Sequence, residues 1–197
     1  MKRILDIFLS SVGIVLTSPI LLLSSVLIKL SSKGPIIYKQ KRVGRYNNDF
    51  NIFKFRTMYL NSDKKGLITV GDRDPRVTSV GYYLRKLKID ELPQLFNVLL
   101  GQMSMVGPRP EVRKYVDLYS PEDLKVLNVK PGITDYASIL FRNENELLKD
   151  APDPHKKYIE EIMPKKLSLN KEYISQQSFV TDLKIICLTM KSILNLK

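Results

Sequence analysis

The chain has 197 residues, 44% hydrophobic and 26% charged, which suits one globular domain with an appendage and excludes a disordered chain. Lys and Arg total 32 and Asp and Glu total 20, so the net charge of +12 points to an anionic partner: nucleic acid, anionic lipid or a phosphorylated substrate. The single cysteine, Cys187, excludes an intramolecular disulfide, and the single histidine, His155, excludes a His-rich zinc site. Carboxylates, hydroxyls and lysines are therefore the candidates for reactive groups.

The first element is an apolar stretch from Ile7 to Ile28 that contains no charged residue. As a helix it would be roughly 33 Å long, enough to cross the hydrocarbon core of a bilayer. A cleaved signal peptide is less favoured, because the stretch is long, Asp6 interrupts its start and no A-x-A site follows. Its length also argues against a buried core helix, so we predict membrane attachment.

Ser18 and Pro19 lie in the middle of this stretch, where proline removes a backbone N–H and should kink a helix. Both flanks are basic, with Lys2 and Arg3 before and Lys29 after, followed by further cations. A re-entrant helix broken at Ser18-Pro19 would keep both flanks cytoplasmic, with Ser18 satisfying backbone groups that the proline frees. On the residues alone, a kinked helix that spans the bilayer is an equal alternative.

The rest of the chain predicts an α+β fold that is mostly helical, in which residues 1–30 form the membrane helix-break-helix and 31–197 a single cytoplasmic catalytic domain at the membrane interface. Two short strands predict a small β-hairpin, joined by a basic turn, and a charged loop and two helices follow. The predicted elements are strands at Ile36–Tyr38 and Phe50–Phe55, separated by a basic stretch at Lys39–Arg45 and a polar loop at Tyr46–Asp49, then a loop at Asn61–Pro75, and helices at Val80–Leu87 and Leu92–Leu99, the latter ended by Gly101.

Two further helices are predicted towards the C-terminus, one at Lys156–Met163 and one whose apolar residues share a face. That last helix either packs on the core or lies in the membrane interface with its lysines towards anionic headgroups. We expect interfacial amphipathic helices in this part of the chain. The shared apolar face consists of Leu183, Ile186, Cys187, Met190 and Leu194.

Asp90 and Glu91 form an acidic pair within a basic stretch. Asp90 is predicted to cap the following helix, with Pro93 in the first turn, where the helix N-terminus and nearby cations should keep Asp90 ionised. A helix N-terminus also attracts phosphate, and a magnesium ion held by Glu91 together with phosphate oxygens would relieve repulsion between carboxylate and phosphate. Taken alone, the pair is better explained as a capping signal.

Three other stretches place cations where an anion could bind. Gly34 to Gly44 carries several lysines and an arginine, and Lys54–Met58 ends a strand with two cations and a hydroxyl. Pro108 and Pro110 enclose Arg109, which reduces the entropy lost when that arginine binds an anion. Each stretch by itself is also explained as a solvated strand end or a rigid surface turn.

In chain order, these stretches resemble the bacterial sugar transferases, the small monotopic polyprenyl-phosphate phosphoglycosyl transferases that start glycoconjugate assembly. The similarity covers about Lys2 to Thr134 and a short run from Asp182, and its motifs are highly specific in combination. The matching stretches are Ser18-Pro19, GPIIYKQKRVG, KFRTM, DPRVT, IDELPQLFNVLLGQMSMVGPRP and KPGIT.

The resemblance implies a two-step transfer of a phosphosugar from a UDP-sugar to polyprenyl phosphate, such as undecaprenyl phosphate. Asp90 is implied as the nucleophile, which attacks the sugar-linked phosphorus, expels UMP and forms a phosphosugar-aspartyl enzyme. Polyprenyl phosphate then takes the phosphosugar to give polyprenyl-diphosphate-sugar. In the family this is the first membrane step of O-antigen, capsule, exopolysaccharide or glycoprotein glycan assembly.

The resemblance also implies roles for other residues. Glu91 and Arg85 join Asp90 as catalytic residues, and Glu91 is the implied Mg²⁺ ligand. Substrate contacts are implied for Lys54, Arg56, Arg109, Pro108, Pro110 and Asp182. The membrane hairpin is implied to contain Arg3, Asp6, Ser18 and Pro19.

A chain of this family would sit in the cytoplasmic leaflet of the bacterial inner membrane, with membrane phospholipids as partners and no nucleic acid. The oligomeric state stays open, a homodimer being one alternative. After Thr134 the sequence departs from the commoner family pattern, which leaves the sugar undetermined and the segment from Asp135 to Glu144 without a role. A non-catalytic, membrane-anchored module that binds anionic lipid is the alternative function.

Overall fold

The chain folds into helices packed around two small sheets, and the computed structural model describes residues 2–62 and 74–193. The described part is mostly helical, as predicted. Most of the loop predicted at Asn61–Pro75, and Leu194 of the predicted C-terminal face, lie outside the described residues. The helices are α1 (Lys2–Ser31), α2 (Ser79–Lys86), α3 (Gln94–Leu99), α4 (Arg113–Val116), α5 (Tyr136–Leu140), α6 (Glu144–Lys149), α7 (Pro154–Lys157), α8 (Met163–Ser175) and α9 (Phe179–Ile193). The strands are β1 (Ile37–Val43), β2 (Asp49–Phe55), β3 (Ser104–Val106) and β4 (Gly132–Thr134).

Strands β1 and β2 form the predicted antiparallel hairpin, paired from Ile37 opposite Phe55 to Val43 opposite Asp49. Both strands are longer than predicted, because most of the basic stretch assigned to a turn belongs to β1. Lysines fit there, since one face of a two-stranded antiparallel sheet can remain exposed to solvent while the other packs on the core. On the core face, Ile52 packs with Val98 and Met103, whereas Phe55, on the other face at the end of β2, is buried against Ile28 and Leu84.

Strands β3 and β4 form a second sheet of one parallel pair, which joins the VGPRP stretch to the KPGIT stretch. Two glycines allow the backbones to meet where these stretches cross. A Cβ atom added to Gly132 would lie 2.1 Å from the backbone nitrogen of Gly107, so no side chain fits there. The sheet therefore fixes the loop that follows β3 against the segment that follows β4.

Helix α1 continues through Ser18 and Pro19, so the predicted break between two helices is not seen. The reason lies in local hydrogen bonding: Pro19 has no N–H for the carbonyl of Val15, and the Ser18 hydroxyl donates to that carbonyl instead, at 2.8 Å. The predicted use of Ser18 to satisfy a freed backbone group is thus confirmed. The re-entrant course of this segment in a bilayer stays a prediction.

Both ends of α1 dock on the rest of the fold. Near its start, Arg3 donates to the carbonyls of Val98 and Leu99, at 2.6 and 2.8 Å, and the buried carboxylate of Asp6 accepts from the hydroxyl of Ser104 and the N–H of Met105, at 2.9 and 2.8 Å. Elsewhere most of its large apolar side chains are exposed, and it is the one helix in the described ranges long and apolar enough to cross a membrane.

The C-terminal part contains the largest buried cluster, formed between the segment 112–126 and the helices α6 to α8. The predicted helix at Lys156–Met163 is part of a longer helical segment, in which α7 passes through a π-helical turn, Tyr158–Ile162, into α8. Helix α9 buries Asp182 and Ile185, whereas Leu183, Cys187 and Met190 of the predicted face are exposed. Most of the predicted apolar face is therefore exposed, although its Ile186 packs against the cluster of Val106, Tyr173 and Ile185.

Candidate active site

Asp90 and Glu91 lie on a single turn of 3-10 helix, Ile89–Glu91, between α2 and α3. The prediction that Asp90 caps the next helix is wrong: α3 begins at Gln94, and the residue at its cap position is Pro93, which makes no side-chain capping bond. The acidic pair instead lies in the segment between α2 and α3. Lys88, at the cap position of its 3-10 turn, adopts the left-handed conformation with φ of 57°. The carboxylates are thus left for contacts other than helix capping.

Glu91 is the centre of an ion-pair cluster. Its Oε1 atom accepts from the Arg109 guanidinium and from the Lys54 ammonium, the latter at 3.2 Å. Burial alone would raise the pKa of Glu91, but Arg109 and then Lys54 hold that pKa well below its usual value. Glu91 in turn raises the pKa of Arg109, while burial lowers the pKa of Lys54. Two cationic side chains therefore share one carboxylate oxygen of Glu91.

The surroundings of Asp90 shift its pKa upwards, in the opposite direction to the pKa shift of Glu91. Its side chain is buried, and its Oδ1 atom has no hydrogen-bond partner among the described residues. Burial, followed by the charge of Glu91, raises the pKa of Asp90 to about 6, although Lys54 and Arg85 oppose the shift. The nearby cations therefore act on the pKa of Asp90 in the expected direction, but burial outweighs them. At neutral pH this leaves a largely ionised, poorly solvated carboxylate with a free oxygen, which is what a nucleophile requires.

Three parts of the fold bring the cations to this pair. Lys54 projects from β2, Arg85 comes from the last turn of α2, and Arg109 follows β3. Pro108 and Pro110 are buried on either side of Arg109, whose backbone N–H donates to the Asp135 carboxylate at 3.1 Å. The fold therefore joins most of the predicted site residues at one place.

Arg56 lies outside this cluster, although it follows Lys54 by two residues. Its side chain is buried and donates to the carbonyls of Ile28 and Ser32 and to the Ser32 hydroxyl, at 3.4, 2.7 and 2.9 Å. These groups form the end of α1. The Nη2 atom of Arg56 thus caps α1, whereas its Nε and Nη1 atoms have no hydrogen-bond partner among the described residues, and the expected phosphate contact stays a prediction.

Asp182, another expected substrate contact, lies in a buried cluster that joins the two ends of the chain. Its carboxylate accepts from Lys2 at 2.5 Å and from the Tyr173 hydroxyl at 2.7 Å. All four residues expected in the membrane hairpin lie on α1, where Arg3 and Asp6 contact α3 and β3 and Ser18 and Pro19 are exposed. Lys2 and Asp135 were not singled out from the sequence, because their partners are distant in the chain.

The site can accept a divalent cation only together with substrate oxygens. Among the described residues there is no group of three or more acidic, His or Cys side chains that could hold a metal by themselves. Mg²⁺, however, is commonly bound by one or two carboxylates plus substrate phosphates. Oδ1 of Asp90 has no hydrogen bond within the described ranges, and Lys54 and Arg109 both bind the Oε1 atom of Glu91, so the donor set fits such an ion.

Comparison with known proteins matches residues 1–196 to the family described as "Bacterial sugar transferase". A UDP-N-acetylgalactosamine-undecaprenyl-phosphate N-acetylgalactosaminephosphotransferase of Aeromonas hydrophila is 49% identical over 142 residues, 71% of this chain and 34% of that protein. The uncharacterized sugar transferase EpsL of Bacillus subtilis is 37% identical, over 98% of this chain and 87% of the relative. A UDP-glucose:undecaprenyl-phosphate glucose-1-phosphate transferase of Klebsiella pneumoniae is 40% identical, over 96% and 39%. The chain thus spans about a third of the first relative and most of the second.

Proposed function

This chain belongs to the bacterial sugar transferase family, and on that premise we propose that it moves a phosphosugar from a UDP-sugar to polyprenyl phosphate through an aspartyl intermediate on Asp90. The observation that carries the proposal is the state of Asp90: a buried carboxylate with an unpartnered oxygen, beside two cationic side chains that share one oxygen of Glu91. An anionic donor is attracted to such a place, and the carboxylate has an oxygen available for attack.

In the first step, an oxygen of Asp90 forms a bond to the phosphorus that carries the sugar. The bond from that phosphorus to the bridging oxygen of the diphosphate breaks, and UMP leaves with the electron pair. In the second step, a phosphate oxygen of the polyprenyl phosphate attacks the same phosphorus and releases the Asp90 carboxylate. The total charge of the substrates equals that of the products, so no histidine relay is needed.

In this proposal, cationic side chains provide most of the catalysis, because phosphoryl transfer depends mostly on positioning the substrates and stabilising negative charge. Arg109 and Lys54 already share the Glu91 carboxylate, and Arg85 acts on Asp90 through its charge. We assign these three to the diphosphate of the donor. A Mg²⁺ ion held by Glu91 and substrate oxygens would add charge to neutralise the leaving UMP.

We also assign the protein to the cytoplasmic leaflet, with α1 as a monotopic anchor. Support comes from the docking of both ends of α1 on the same folded body, through Arg3 and Asp6 near its start and Arg56 at its end. Its exposed apolar residues suit lipid contact. This position would bring Asp90 near the depth at which the phosphate of a lipid-borne acceptor lies.

The decisive experiment is intact-protein mass spectrometry after incubation with UDP-N-acetylgalactosamine or UDP-glucose, the donors in the names of the relatives. In the absence of acceptor, the expected result is a mass increase of one phosphosugar, located on Asp90 by fragmentation and discharged by undecaprenyl phosphate. The matched control is Asp90→Asn, which should take up no label. Full turnover in that variant would contradict the proposal and favour the lipid-binding alternative.

A further inference from the structure

We propose that Asp135 is a positioning residue that sets the place of Arg109 in the active site, an inference that rests on the proposed function. Asp135 is completely buried. Its Oδ2 atom accepts from the backbone N–H of Arg109 at 3.1 Å, and its Oδ1 atom accepts from the N–H of Ser138, the capping bond of α5, at 2.6 Å. One carboxylate therefore joins the start of a helix to the arginine-bearing loop.

The bond to Arg109 matters because of the loop's composition. Pro108 and Pro110 have no N–H, so the Arg109 N–H is the one backbone donor in this three-residue segment. The carbonyl of Pro108 already accepts from Gly132, at 3.0 Å. Without Asp135, a part-buried donor would lose its partner, and the backbone would be free to move away from the second sheet.

The same backbone position controls the guanidinium. The Arg109 side chain reaches Glu91 and also donates to the carbonyl of Ile133 at 3.4 Å, so it is held between the acidic pair and β4. A shift of the loop would move the guanidinium relative to the donor diphosphate. Misplacement by about 1 Å of a group that stabilises developing charge can cost up to about a hundredfold in rate.

A carboxylate is needed because two backbone N–H groups, those of Arg109 and Ser138, donate to two different oxygens of the same side chain. Serine at this position keeps a good helix cap but offers one oxygen. Asp135→Ser should therefore preserve the bond to Ser138 and lose the bond to Arg109. This separates the positioning role from simple support of α5.

The matched control is Asp153→Ala. Asp153 is the exposed cap of α7 and accepts from the N–H of Lys156 at 3.0 Å, in the same capping geometry as Asp135 but outside the ion-pair cluster. Loss of this cap should lower stability without changing the transfer reaction. It therefore reports the effect of losing a capping aspartate as such.

The first measurement is the initial rate of phosphosugar transfer in lipid nanodiscs as a function of donor concentration. For Asp135→Ser we expect kcat to fall at least tenfold, with KM within about threefold and a melting temperature only a few degrees lower, because the Arg109 N–H loses its partner. Asp153→Ala should keep kcat. An unchanged kcat in Asp135→Ser, or an equal loss in both variants, would overturn the inference.

The second measurement needs no activity: residue-resolved hydrogen exchange at the Arg109 amide. This amide should exchange at least tenfold faster in Asp135→Ser than in the unchanged protein, and at the original rate in Asp153→Ala. Equal exchange in all three would show that Asp135 does not hold the loop. If the unchanged protein transferred no sugar, the proposed function would fail, whereas this amide would still decide whether Asp135 fixes Arg109.

Discussion

At the scale of single residues, Asp90 and its neighbour Glu91 affect stability in opposite directions. Glu91 has two cationic partners and a lowered pKa, so its charge stabilises the fold. Asp90 is buried with an unpartnered oxygen, and its pKa is raised from 3.8 to about 6, so its charge opposes folding. A site that retains such a group gives up stability for reactivity.

This difference predicts that Asp90→Asn stabilises the protein while abolishing transfer. A raised folded-state pKa gives no penalty below pH 3.8, and the full penalty of up to about 3 kcal/mol above pH 6. The variant should therefore unfold at a higher temperature at pH 7.5, and the gap should close as the pH falls towards 4. Thermal unfolding of both proteins in the same detergent across this range is the measurement.

Glu91→Gln is the matched control for this prediction, because it removes a carboxylate charge one residue away. Its pKa is lowered in the fold, so its stabilisation is present at neutral pH and is lost as the pH falls through that low value. This variant should therefore be less stable than the unchanged protein at pH 7.5. Equal shifts in the two variants would contradict the assigned environments.

At the scale of helices and strands, arginines close the C-terminal ends of three helices. Arg3 donates to the last carbonyls of α3, Arg56 to those at the end of α1, and Arg142 to those of Ser192 and Ile193 at the end of α9. The last carbonyls of a helix lack intrahelical partners and carry partial negative charge, which a guanidinium neutralises. Part of the large positive charge of the chain is thus structural.

Arg56 allows a direct test, because the same cation pattern predicted a phosphate contact. Arg56→Ala should lower the free energy of unfolding by about 2 kcal/mol, since buried acceptors lose a charged donor. Arg45→Ala, at an exposed arginine with one backbone bond at 2.9 Å, should cost less than about 1 kcal/mol. Chemical denaturation measures both. Unchanged stability together with a raised donor KM in Arg56→Ala would contradict the capping role and support the predicted phosphate contact.

How far the sequence predicts this molecule depends on the range over which each signal acts. The hairpin and α2 follow from local patterns, and Lys54, Arg109 and Glu91 follow from a resemblance that covers most of the chain. The capping role of Asp90 was wrong because Pro93 displaces the start of α3. The position of Asp182 depends on Lys2, at the other end of the chain, and no local pattern encodes such a contact.

At the scale of the whole molecule, α1 is fastened to the folded body rather than projecting from it. Lys2 joins α1 to Asp182 and Tyr173 of the last two helices, at 2.5 and 3.0 Å, so the first and last helices meet in one buried cluster. At the other end, Ile28 packs with Phe55 of β2 and Leu84 of α2. A helix held at both ends by a single folded body has both ends on the side of the membrane where that body lies.

This arrangement predicts that both ends of α1 face the cytoplasm. An epitope placed before Met1 and a cysteine introduced by Lys33→Cys in a Cys187→Ala background should react in inverted membrane vesicles and stay protected in intact spheroplasts. Lys33 is exposed just after α1, and removing the exposed Cys187 thiol leaves one reactive site. A spanning helix of 30 residues would separate the two labels by the full bilayer. Reaction of the epitope from the outer face would therefore require Lys2, Arg3 and Asp6 to leave their partners, and would exclude the monotopic arrangement.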